Sequence, residues 1–194
     1  AEPENVDADG IVRGIYKYQA AVEKRDLNAQ LLASGVGVNW AIKAQKLLLE
    51  DWGVAADLWS VTSWNELRRD GLEVDRHNMM HPESPRTAYI TTKLAGSVGP
   101  VIAVSDFMRA VQDQVAPWVA NPFTSLGTDG FGLSDTRGAL RRHFRVDAES
   151  IVVATLASLV REGKVQVATL RAALDKYALH DIMAADPGNT EGSG

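Results

Sequence analysis

No cysteine occurs anywhere in the 194 residues. That absence removes disulfide frameworks, thiolate-bound zinc and cysteine nucleophiles together, and it fits a reducing compartment. Basic excess is lacking as well: 20 Lys and Arg stand against 25 Asp and Glu, a net charge of −5. Nucleic acids and anionic membranes both attract basic surface, so neither is expected as a partner. No apolar run approaches the length of a membrane span. The opening AEPENVDADG is acidic and polar, unlike a signal peptide, and a chain that begins on Ala1 rather than Met reads as one that follows a cut. The expectation is a soluble, cytoplasmic protein.

What is present is ordinary globular material. Hydrophobic residues make up 45% and charged residues 23%, enough for one domain with a substantial core. Residues 1–10 read as a linker, 11–180 as the domain, and 181–194, ending DPGNTEGSG, as a flexible tail.

Within the domain, short apolar runs alternate with helical periodicity. Ile11–Tyr18 is β-branched and aromatic and reads as a strand, with Gly14 marking a bulge or an edge. Ala29–Ala33, Ala55–Val61, Pro100–Ser105 and Phe123–Gly127 read as further strands. Pro100–Ser105 is apolar throughout, as a strand covered on both faces must be. Val38, Ala41, Ala44, Leu48 and Trp52 share one helical face, which Gly53 closes. Thr62–Arg69 reads as a short helix capped by Thr62 or Ser63. Asp70–Arg86 reads as mostly loop, Ala88–Leu94 as a short helix, and Asp106–Val115 as a helix with Phe107, Ala110 and Val111 inward. Ser134 and Asp147 read as caps of two helices, and Val167, Leu170, Leu174 and Tyr177 as the stripe of a third. Strands alternating with helices imply an α/β fold: a mainly parallel sheet with helices on both faces. The connection Gln19–Asp26 is too short for a crossover helix, so the first strand is expected to run antiparallel.

Several motifs invite chemistry. ASGVGVNW follows a strand and opens a helix, where free amides attract anions. Its lone G-x-G lacks the remaining glycine of a dinucleotide site, so a packing turn explains it as well. His77 and His81 lie four residues apart, a metal-ligand spacing on a helix, but Pro82 follows and no third ligand is evident. Arg141, Arg142, His143 and Arg145 form a basic run that reads as a solvated face or a subunit salt-bridge surface. Ser105, Ser134 and His143 lack the G-x-S-x-G elbow of a hydrolase. Five tryptophans divide between core packing and interface.

Five blocks, in order, carry a resemblance: ASGVG; EDWGVAADLWSVTSWNELRRDG; RHNMMHPESPR; GPVIAVSDFMRAVQDQVAPWV; and LGTDGFGLSDTRGALRRHFRVDAESIVVATL. Together they resemble the C-terminal domain of the homodimeric bacterial pyruvate dehydrogenases, from about Glu4 to about Val165. SVTSWNELRRDG and LGTDGFGLSDTRGALRRHF are the most specific.

The resemblance implies a transketolase C-terminal-domain-like fold: a five-stranded, mostly parallel sheet with one antiparallel strand and helices on both faces. It implies a whole enzyme that decarboxylates pyruvate with thiamine diphosphate and magnesium. That enzyme passes the acetyl unit to the lipoyl group of an acetyltransferase component. The family holds its cofactor with a G-D-G motif, which this sequence lacks; Thr128-Asp129-Gly130 is T-D-G in a different place. No catalytic, cofactor-binding or metal residue is therefore carried over. The expected role is structural, toward the remaining catalytic domains and a homodimer partner. The candidate interface residues are Trp64, Trp118, Phe131, Ser134, Asp135 and Arg137. Two alternatives accompany this reading: a naturally split subunit of a transketolase-like enzyme, and a stand-alone module that binds a small anion near Gly35 and Ser105.

Overall fold

The computed structural model describes residues 7–181. Most of the stretch read as a linker, and the tail beyond residue 181, lie outside the described residues.

The chain enters through helix α1 (Ala8–Arg13), where the sequence suggests the start of a strand. Asp7 caps it by accepting the Gly10 amide at 2.8 Å. Gly14 ends it in the left-handed conformation, φ 103°. Gly14 is thus a helix stop rather than a bulge inside a strand. Strand β1 (Ile15–Gln19) follows, and its register slips between Lys17 and Gln19.

The other strands are β2 (Leu27–Ala33), β3 (Val54–Val61), β4 (Val101–Val104) and β5 (Phe123–Leu126). They form one sheet in the order β1-β3-β2-β4-β5. Only the β1–β3 pair is antiparallel, as the short connection after β1 requires.

Side chains alternate across the sheet. Ala29, Leu31 and Ala33 of β2, with Val54, Ala56 and Leu58 of β3, face a layer built from α2 (Gly37–Trp52), α7 (Ala148–Arg161) and α8 (Val167–Lys176). Leu32, Trp59 and Val61 face the opposite layer, α3 (Trp64–Met80), α4 (Tyr89–Lys93) and α5 (Arg109–Asp113). All four residues of β4 are buried, as the continuous apolar run predicts.

Further elements differ from expectation. Helix α3 runs on to Met80 through the segment that Gly71 makes look like a loop. That glycine lies under an indole: a Cβ on it would come within 2.4 Å of the Trp118 ring. Helix α6 (Arg137–Phe144) is capped by Thr136, whose hydroxyl accepts the Ala139 amide, not by Ser134. In α8 only Ala173 is fully buried, and Val167 is exposed.

Polar contacts tie α8 down. Tyr177 Oη accepts the Trp52 indole N–H and donates to Asp51, both at 2.8 Å. Lys176 lies 2.7 Å from the same carboxylate. That ammonium holds the Asp51 carboxyl below the ordinary carboxylate range, against the opposing effect of burial. Burial pushes the Tyr177 phenol upward. Deeper in, Arg142 pairs with Asp147 and donates to the Tyr177 carbonyl at 3.0 Å. Asp147 in turn caps α7 at Ser150.

Candidate functional site

Between β2 and β4 the strand order reverses, so their carboxyl ends form the crevice where open α/β sheets place ligands. The residues there are Ser34-Gly35-Val36 after β2 and Ser105-Asp106 after β4. The glycines of ASGVG serve packing. Gly35 sits at φ +56°, and a Cβ on Gly37 would lie 3.1 Å from the Val104 carbonyl oxygen. The first amides are already used: Gly37 donates to Ser34 O and Val38 to Gly35 O.

A chain of hydrogen bonds crosses this crevice. The Trp64 indole N–H donates to Ser34 Oγ at 3.0 Å, and Ser34 Oγ donates to Ser105 Oγ at 2.8 Å. Ser105 Oγ also accepts the Phe107 amide at 3.2 Å and donates to Asp106 Oδ1 at 3.4 Å. An indole N–H can only donate, and from Ser34 the donors run on to Ser105 and then to Asp106. The chain ends on an exposed carboxylate. A Cβ on Gly35 would come within 3.0 Å of that carboxylate's Oδ1, so a ligand anion entering this turn would meet a charge of its own sign.

Around Asp106 the turns carry exposed apolar side chains: Val36, Phe107, Met108, and, from the loop after β5, Phe131 and Leu133. The foot of that loop is fastened. The Thr128 amide donates to Phe107 O at 3.0 Å and its hydroxyl to Asp106 O at 2.5 Å. Asp129 accepts both the amide and Nε of Arg109, which holds its carboxyl below the usual range. Beside the rim, a cleft of about 720 Å³ is lined by Ser34, Val38, Thr62, Trp64, Phe107 and Val111 among others.

The sequence candidates fall in three places. Phe131, 95% exposed, stands in the loop with Ser134 and Asp135, and Arg137 opens α6; all are exposed. Trp118 is half-buried on Gly71, its indole N–H reaching Asp75 at 3.1 Å. Trp64 is 3% exposed and offers no surface; its place is at the head of the serine chain. Phe107 and Met108 were not among the candidates, because periodicity puts Phe107 inside a helix. The Ser105 hydroxyl instead folds the backbone into a turn, and α5 starts only at Arg109.

The remaining motifs resolve into local contacts. His77 and His81 have ring centroids 4.8 Å apart at the end of α3, with His77 bonded to the Ser84 carbonyl. Within the basic run, Arg142 is buried and ion-paired rather than solvated, while Arg141 stacks on Trp40 at 4.4 Å. His143 lies edge-on to Phe144. Among the described residues no group of three or more His, Cys, Asp or Glu could hold a metal ion. A metal-bridged diphosphate needs carboxylates and free amides converging on it. Here Asp129 is committed to Arg109, and the Gly37 and Val38 amides of the turn facing Asp106 are spent on Ser34 O and Gly35 O. Thiamine diphosphate with magnesium does not fit these residues.

The family model described as the transketolase-like TK C-terminal domain matches residues 14–147. The chain is 51% identical over 186 residues to the pyruvate dehydrogenase E1 component of Mycolicibacterium smegmatis, covering 95% of this chain and 20% of that protein. It is 50% identical to that of Mycobacterium tuberculosis, covering 98% and 20%, and 41% identical to that of Escherichia coli K12, covering 91% and 20%. The chain thus spans about a fifth of the length of these relatives. Among solved structures, a transketolase from Leishmania mexicana matches with a TM-score of 0.53 at 20% identity, over 83% of this chain and 20% of that one. A split gene transketolase, an inactive beta4 tetramer, matches with 0.53 at 18% identity, over 76% and 43%. At such identities these two establish the fold alone.

Proposed function

The chain belongs to the transketolase-like C-terminal domain family, and from that premise we propose that it is the C-terminal domain of a pyruvate dehydrogenase E1 component. The whole enzyme, on this reading, decarboxylates pyruvate with thiamine diphosphate and magnesium. It then passes the acetyl unit to the lipoyl group of the acetyltransferase component. The observation that carries the reading is 51% identity along 95% of the chain to a protein of that description. Within the enzyme this domain supplies shape and contact surface toward the other domains and a second copy. The carboxyl-end rim, with Phe131, Ser134, Asp135 and Arg137, is the surface assigned to that contact.

The division of labour follows from the residues. Catalysis by a cofactor enzyme requires groups that bind and orient the cofactor, and the carboxylates here are bound to their own neighbours. The complete polypeptide that carries this chain is expected to release carbon dioxide from pyruvate when given thiamine diphosphate, Mg²⁺ and a lipoyl disulfide or other two-electron acceptor for the acetyl unit. The 194-residue chain alone is expected to show neither turnover nor saturable heat on titration with that cofactor and metal. Turnover by the chain alone, or a complete polypeptide inert toward pyruvate, would sink the reading.

A further inference from the structure

A smaller cavity, of about 220 Å³, opens at the carboxyl ends of β2 and β4, between the first turn of α2 and α6. Val36, Trp40, Leu140, Phe144 and Val146 supply its apolar walls. A cavity of about 150 Å³ with apolar walls already takes up benzene, so a branched aliphatic side chain has room here. Two opposite charges line the same space, Asp106 and Arg141. No ion pair joins them among the described residues. Arg141 lies instead against the Trp40 ring, 4.4 Å from its centroid. The neutral polar groups of the lining are already used: Ser105 Oγ donates to Asp106 Oδ1, and the Thr128 hydroxyl donates to the Asp106 carbonyl. Asp106 Oδ2 and the guanidinium N–H groups of Arg141 are left for a ligand. Burial, with the charge of Arg137 beside it, pushes the Arg141 guanidinium below its ordinary value, as befits a cation drawn out of water without a counter-ion.

Such a lining selects by charge. An apolar anion gains Arg141 but meets Asp106, and an apolar cation gains Asp106 but meets Arg141. A molecule that carries both signs finds a partner for each. We propose that the cavity binds a free α-amino acid with a branched aliphatic side chain, its carboxylate on Arg141, its ammonium on Asp106 and its side chain among Trp40, Leu140 and Phe144. All of these residues belong to this chain, so the site goes beyond the proposed enzyme role and holds whatever the other domains catalyse.

The test titrates the complete polypeptide by calorimetry with L-leucine, 4-methylpentanoate and 3-methylbutylamine, the last two lacking one charge each. Saturable heat is expected from leucine, with each analogue weaker by about tenfold or more. The isosteric Asp106→Asn should weaken leucine by a similar factor and leave 4-methylpentanoate no weaker than before. Arg141→Gln should weaken leucine and 4-methylpentanoate alike. Because Arg141 also packs on Trp40, Val36→Phe supplies a check that alters neither charge: it narrows the cavity from a position 54% exposed and should abolish leucine uptake. No saturable heat from leucine, either analogue binding as tightly as leucine, or leucine binding untouched by Asp106→Asn or by Val36→Phe overturns the proposal.

Discussion

Gly71 sits in the middle of α3 because the Trp118 ring occupies the space a methyl would need. Gly71→Ala gains up to about 1 kcal/mol of helix propensity, but it must lift the indole off the helix. The net expectation is a loss of about 1–3 kcal/mol. A lower denaturant midpoint with a red-shifted tryptophan emission would confirm it; a higher midpoint would refute it. Arg142 presents a larger effect. It is buried between Asp147 and Glu149. Arg142→Met strands the buried Asp147, while Glu149 keeps Lys43 at 3.1 Å, and should cost about 3–5 kcal/mol, measured by thermal or chemical unfolding. Sequence makes these two residues look like a loop glycine and a solvated arginine. Local composition was the only guide: the Gly71 role is set by Trp118, far along the chain, and that of Arg142 by burial against Asp147 and the Tyr177 carbonyl.

At the scale of elements, the ends of α2 and α8 are joined through Asp51, Lys176 and Tyr177. The Asp51 carboxyl is held low, chiefly by the Lys176 ammonium. Its stabilisation is therefore complete above the unfolded carboxylate pKa and drains away as pH falls through the lower folded value. Asp51→Asn should cost about 1 kcal/mol near neutral pH, since Lys176 is half exposed. The difference from wild type should vanish in strong acid. A difference independent of pH would remove the ion pair from the account. Element type was largely legible: the β2–α2–β3 unit, the buried run of β4 and the Asp147 cap follow from periodicity and turn chemistry. Boundaries were less so. Asp7 and Gly14 bracket a short helix whose apolar residues mimic a strand, and α3 continues past a glycine that normally ends a helix. In both places tertiary packing overrides the local signal.

For the whole molecule, the antiparallel first strand could be argued from the length of its connection, whereas the strand order is set by how the helices pack and comes only from the structure. The proposed contact surface could be read only in part. Phe131 and its loop neighbours stand out as apolar residues amid glycines, whereas Phe107 and Met108 look like helix core until the Ser105 turn is seen. Phe131→Ser should leave stability within about 0.5 kcal/mol, because the side chain is already in water. In the isolated chain it should also reduce binding of a hydrophobic dye. Unchanged dye binding would mean that this end of the sheet is not the sticky one.

None of the rim side chains belongs to either apolar cluster beneath the helices. Selection can therefore act on them separately. On the proposed contact role, substitutions at these turn positions would change which companion surface is accepted while the scaffold under it folds as before. Two proteins could share this architecture nearly residue for residue inside and still refuse to exchange subunits.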